Sequence, residues 1–256
     1  MRRALRILVA VAVLGALAAA PAAAQSPQQF DPNATHYMAL GDSISAGYKA
    51  MPVTEGYAYR LYQDGVFDRM PHTLYNNIST VGARSADVLQ YQVPLATLPD
   101  PYGFRPQYIT LTVGGNDLLS ILYCLEDPVC APDVQTVASG ALTAYAGNLT
   151  KILGQITTAL PGTKVFVSNQ YPMPQIEAIV PMATDVIAAF NGITAQVVGA
   201  FGPAGVYLVD VHTAFLGRNN LVEGERGQTS IFEVHPTNAG QRVIERAFAE
   251  VIAANK

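Results

Sequence analysis

Ser43, Gly82, Asn116 and His235 are the residues whose types and order fit one reaction. Breaking an ester needs a nucleophile, a base to take its proton, and donors for the oxyanion that forms on the attacked carbonyl. Ser43 offers the hydroxyl, where the apolar run ending at Leu40 gives way to Gly41-Asp42. A helix starting there would aim its first N–H groups at developing negative charge. A glycine at 82 lets the backbone come close because it has no Cβ, and Asn116 adds a side-chain amide. His235 precedes Pro236 and Asn238, which read as the start of the last helix, so the imidazole is expected on a constrained loop. Each residue also has a plainer reading: Ser43 or Asn116-Asp117 as a helix cap, Gly82 as a turn glycine. His212 follows an apolar run and is the rival to His235, whereas His36 and His72 read as surface or strand-end residues. Arg84 and Ser85 either touch substrate or only begin a helix.

These residues must be delivered by a scaffold. His36–Leu40, Thr73–Ile78, Tyr108–Val113, Lys164–Ser168 and Val206–Val209 read as short strands, several of them unbroken and β-branched. Helical patterns occupy Tyr57–Val66, a segment starting at Ser85, Val134–Leu160, Ala178–Val198 and Asn238–Ala253. Strands that alternate with helices and are apolar on both faces imply a parallel sheet covered on both sides, a three-layer α/β/α sandwich of about five strands. Gln90–Gln107, with Pro94, Pro99, Pro101 and Pro106, reads as a surface loop. In open parallel sheets ligands bind beyond the carboxyl ends of the strands. Ser43, Gly82 and Asn116 follow the first, second and third strands and should meet there.

Gly41-Asp42-Ser43-Ile44-Ser45-Ala46-Gly47, then Gly82, then Gly114-Gly115-Asn116-Asp117, then His235-Pro236 with Gly240, resemble the SGNH/GDSL hydrolase family in order and spacing. The resemblance covers essentially all the chain after its leader. It implies a flavodoxin-like domain and cofactor-free esterase or lipase activity. It also implies Ser43 as nucleophile, His235 as base, and an oxyanion hole from the Ser43 and Gly82 N–H groups and the Asn116 side chain. No G-x-S-x-G elbow is present, which argues against the α/β-hydrolase fold. One position departs from the pattern. The family usually carries Asp three residues before the histidine, and here that residue is Phe232. Glu233, a main-chain carbonyl and Asp210 at the end of the fifth strand are the alternatives for orienting the ring.

Composition narrows the remaining classes. The 256 residues are 50% apolar and 13% charged, with a net charge of −4 and no basic block after the N-terminus. Nucleic-acid binding, which wants a cationic stripe, is not expected. Arg2, Arg3 and Arg6 precede the apolar run Ile7–Ala20 and the small residues before Gln25, the layout of a signal peptide over 1–24. The domain is then 25–256, secreted or periplasmic, with no further apolar stretch expected to span a membrane. In an oxidising compartment the two cysteines, Cys124 and Cys130, are expected to pair. No metal or other cofactor is expected. The partner is a small-molecule or acylated ester. Two other readings stay open: a lipase or phospholipase whose apolar rim comes from loops at Leu118–Val129 and Val93–Phe104, and a non-catalytic binding relative, favoured only by Phe232. Asn33, Asn77 and Asn148 match glycosylation acceptors, a pattern frequent by chance.

Overall fold

Strand β1 (Thr35–Gly41) shows how the sheet is buried: Met38 and Leu40 point to one apolar cluster, Tyr37 and Ala39 to another. Side chains alternate along a strand, so a sheet with helices on both faces must be apolar at every position. The computed structural model describes residues 33–69, 72–99, 103–126, 129, 133–178, 180, 182–223 and 233–256. The expected signal peptide and leader, Phe232 and Cys130 lie outside the described residues. Residues 33–256 form one contact-dense unit.

The other strands are β2 (Thr73–Asn77), β3 (Tyr108–Thr112), β4 (Lys164–Ser168) and β5 (Val206–Val209). All neighbours pair in parallel, in the order β2-β1-β3-β4-β5. In chain order the helices are α1 (Tyr57–Gln63), α2 (Ser85–Asp87), α3 (Val93–Ala96), α4 (Gly115–Glu126), α5 (Val134–Ala159), α6 (Pro174–Glu177), α7 (Ala183–Phe201), α8 (Val211–Phe215) and α9 (Asn238–Ala254). The cluster of α5 and α7 is built on Tyr145, Ile152, Ile156, Ile187 and Phe190. On the other face α1 and α9 bring Tyr57, Leu61, Ile244 and Phe248. Strand order reverses between β1 and β3, the switch point where such sheets bind ligands.

Four features depart from expectation. Residues 42–49 form consecutive turns, not a helix, so Ser43 is not at a helix N-terminus. Gly47 has φ +70 and Lys49 φ +66, left-handed values that a right-handed helix excludes. Gln90–Gln107 is not wholly a surface loop: a π-helical turn (Val88–Gln92) runs into α3, burying Gln92, Val93 and Ala96. Pro94 does not break α3, because the first turn of a helix tolerates proline. Leu118–Glu126 is part of α4 rather than a loop. Finally, Ala183–Ala204 is long and apolar enough to cross a membrane by composition. It instead buries Ile187, Phe190 and Val198 against the domain.

Candidate active site

The turn after β1 is held by its own aspartate. Asp42 Oδ1 accepts from the Ile44 N–H (3.0 Å) and the Thr112 hydroxyl (2.8 Å), which ties the Ser43 loop to the end of β3. Burial pushes the Asp42 carboxyl up to about 6, although those hydrogen bonds pull the other way. Gly41 has φ +127, and a Cβ there would lie 2.0 Å from the Thr112 carbonyl oxygen, so only glycine fits. The Gln92 amide clamps the same residue, accepting from the Gly41 N–H (2.7 Å) and donating to its carbonyl (2.8 Å). Sequence reasoning missed Gln92 because it treated its segment as a loop.

Gly82 and Asn116 reach the same cavity as Ser43, a hollow of about 160 Å³ also lined by Ile44, Leu119 and Met173. The Asn116 amide donates to the Ala83 carbonyl at 2.9 Å. An amide nitrogen carries a second hydrogen, which remains for a ligand. Among the described residues no protein acceptor takes the Ser43 or Gly82 backbone N–H. Gly82 has φ +82 with open space where a Cβ would stand, so conformation, not close approach, requires glycine. Ser85 turns inward: its hydroxyl and N–H both donate to Asp117 (2.5 and 2.9 Å), and the Asn148 amide donates to its oxygen (3.0 Å). That buried set fixes the start of α2, after Gly82, against α4, which carries Asn116. The amides of Asn77 and Asn148 are thus engaged internally, Asn77 with the Ser45 carbonyl.

His235 arrives from the other side. Its Nε2 lies 3.0 Å from Ser43 Oγ, and its Nδ1 lies 2.7 Å from Glu233 Oε1. Of the three alternatives for orienting the ring, Glu233 is the one in contact with it. Asp210 caps α8 through the Thr213 N–H (3.0 Å) and accepts from Asn169 (2.8 Å). It lines a larger hollow of about 470 Å³ beside α8 and α9, which holds none of the other candidate residues. His212 Nδ1 contacts Asn191 and the Gln170 carbonyl, so it does not compete for Ser43.

The His235 loop is pinned by backbone pairing: the Glu223 N–H donates to the His235 carbonyl and the Thr237 N–H to the Leu221 carbonyl, both at 2.9 Å. Tyr171 donates its hydroxyl to the Val234 carbonyl (2.5 Å). Thr237, not Asn238, caps α9. Asn238 holds the Met51 backbone through both its N–H (3.0 Å) and carbonyl (2.7 Å). Two residues that sequence reasoning did not single out complete this side. The Tyr48 ring packs edge-on against the His235 ring at 4.7 Å. The Lys49 ammonium lies 3.0 Å from Glu233 Oε2. Burial opposes charge on Glu233, but hydrogen bonds from His235 and Lys49 outweigh it and hold the carboxyl below its ordinary value.

A serine hydroxyl beside an imidazole, in a hollow that Gly82 and the Asn116 amide also line, is an arrangement that can carry out acyl transfer. The model of the GDSL-like lipase/acylhydrolase family matches residues 39–243. Among solved structures, the lipase Lip_vut3 from a goat rumen metagenome is 22% identical (TM-score 0.64; 87% of this chain and 99% of that one covered). Phospholipase A1 from Streptomyces albidoflavus NA297 is 20% identical (TM-score 0.64; 87% and 100% covered). An extracellular lipase from Streptomyces rimosus is 21% identical (TM-score 0.60; 87% and 100% covered). At these identities the likeness speaks to fold. No curated protein matches the chain.

Proposed function

The chain belongs to the GDSL-like lipase/acylhydrolase family of ester hydrolases, and on that premise we propose that it is an exported serine esterase with Ser43 as nucleophile and His235 as base. The observation that carries this reading is the contact chain from Ser43 Oγ to His235 Nε2 (3.0 Å) and from His235 Nδ1 to Glu233 (2.7 Å). Glu233 accepts from Nδ1–H, which leaves Nε2 as the acceptor for the serine proton. Ser43 Oγ bonds to the ester carbonyl carbon as its proton passes to Nε2, and the carbonyl π electrons move onto oxygen. That oxyanion is received by the Ser43 N–H, the Gly82 N–H and the Asn116 amide. When the intermediate collapses, the C–O bond to the alcohol breaks and the alcohol leaves with the His235 proton. Water, deprotonated by His235, then attacks the acyl-serine, releasing the carboxylic acid and restoring Ser43.

Ser43→Ala is expected to lower kcat at least about 10⁴-fold while the melting temperature stays put, and a fluorophosphonate should label residue 43 and nothing else. Substantial turnover by the variant would discard the assignment.

The N-terminal layout supports a signal peptide over 1–24 with cleavage before Gln25. N-terminal sequencing of the exported protein tests this: a mature chain that retains Met1 would refute it. Export would favour a Cys124–Cys130 disulfide, worth roughly 2 kcal/mol for so short a loop. Full alkylation of both thiols without reductant would contradict it. A second reading, action at lipid surfaces, draws on exposed Tyr91, Leu95 and Leu98 around α3. Rates on short-chain soluble esters against long-chain emulsions separate the two readings; a preference for emulsions would favour the second.

A further inference from the structure

The Glu233 carboxylate is engaged unequally. Oε1 receives both the His235 ring (2.7 Å) and the His235 N–H (3.2 Å), while Oε2 is met by the Lys49 ammonium (3.0 Å). A glutamate has more rotatable bonds than aspartate, so fixing it costs more rotamer freedom. Something must hold it if it is to hold the imidazole. We propose that Lys49 is a positioning residue that fixes Glu233 through Oε2, so that the carboxylate keeps the His235 ring aimed at Ser43. This rests on the reading of Ser43 and His235 given above.

The loop that carries Lys49 is built for that placement. It leaves Ser43, turns back through the Tyr48 N–H to the Ser43 carbonyl (2.9 Å), and is tied down by Asn238 at Met51. One loop therefore brings the hydroxyl, the Tyr48 ring that backs the imidazole, and the Lys49 charge. Lys49 adopts φ +66, a left-handed conformation that strains a residue with a Cβ. Strain kept at a non-glycine position beside a reactive centre points to a side chain that is needed there. The two charges also support each other: contact with Glu233 raises the Lys49 ammonium above its ordinary value, while Lys49 helps hold Glu233 low.

Lys49→Gly and Lys49→Met separate positioning from structure. Glycine accepts φ +66 without strain, so Lys49→Gly should melt no lower than the parent, yet lose about tenfold in kcat with KM within about twofold. Lys49→Met should lose kcat alike, and Lys49→Arg, which keeps the charge, should recover most of it. In a Glu233→Gln background Lys49→Gly should cost nothing further, since the lysine acts through that carboxylate. Unchanged kcat in Lys49→Gly, or losses that multiply with Glu233→Gln, would overturn the proposal while leaving the Ser43–His235 reading intact. Were His235→Ala itself without effect, that reading would fall instead, and this proposal with it.

Discussion

Ser43, Gly82 and Asn116 hang from the carboxyl ends of β1, β2 and β3, tied by short hydrogen bonds among buried groups such as Asp42–Thr112 and Asp117–Ser85. His235 and Glu233 sit on a loop outside the sheet, and Lys49 meets Glu233 from the far end of the Ser43 loop through an ion pair, with the Lys49 side chain 37% exposed and that of Glu233 10%. The donor side is therefore tied to the sheet by buried hydrogen bonds. The base side depends on the protonation and screening of its partners. The proposed reaction would be served by this split: its oxyanion donors should not reorganise, whereas its base should change charge in every turnover.

The largest effect that would sharpen the contrast is loss of a donor. Asn116→Ala is expected to reduce kcat by about 10²–10³ with KM little changed, as removal of one oxyanion donor does elsewhere. Its pH–rate profile should keep the parent's shape, because the base side is untouched. A changed profile would show that the two sides are coupled, and a loss confined to KM would mean that Asn116 binds substrate rather than the transition state.

Stability against pH should also divide the two sides. Asp42 has a folded value of about 6 against 3.8 for the free group, so between roughly pH 4 and 6 the folded state binds more protons than the unfolded one. Stability from this residue accordingly falls as pH rises through that window, by on the order of 3 kcal/mol at most. Asp42→Asn keeps the Oδ1 acceptor and should remove the decline, leaving the variant more stable in urea at neutral pH. Glu233 has the opposite sign. Its carboxyl is depressed when folded, so its contribution is present above the unfolded value near ~4.3 and is lost as pH falls through the folded one. Glu233→Gln should thus be less stable than the parent at neutral pH and converge with it in acid. Parallel slopes for the two variants would erase the distinction.

The same division explains what could be read from sequence. Strand β4 and strand β5 fall where their apolar β-branched runs predict, and Ser43, Gly82 and Asn116 converge because each lies shortly after the end of a strand whose position the pattern reveals. The helix expected after Ser43 is absent because Gly47 packs against Gly56, where a Cβ would lie 2.7 Å from the Gly47 Cα; that contact is tertiary and leaves no local pattern. Pro94 is ambiguous in sequence, since proline signals both a loop and a first helical turn. Glu233 stayed one of three alternatives because alternation along an extended segment could not say which way it faces. Lys49 was invisible: an exposed lysine has no periodicity, and its partner lies at the far end of the chain. Local pattern thus finds groups placed by the sheet and misses groups placed by loop-to-loop contact.

The smallest expected effect tests the charge on the base side directly. Raising salt from about 0.01 M to about 1 M shortens the screening length from ~30 Å to ~3 Å. A contact pair as exposed as Lys49–Glu233 is weakened but not abolished by screening, so kcat should fall no more than a few-fold. Asn116→Ala should show the same proportional decline, since its lesion lies on the side held without exposed ion pairs. Lys49→Gly should show none, because the screened interaction is already gone. A salt response that survives in Lys49→Gly would have to come from another ion pair, such as Glu55 with Arg242, whose groups meet at 2.8 Å beside the same loop. Glu55→Gln in the Lys49→Gly background then decides between them: if the response disappears only there, the charge sensitivity belongs to the anchoring of the loop and not to the carboxylate that faces His235.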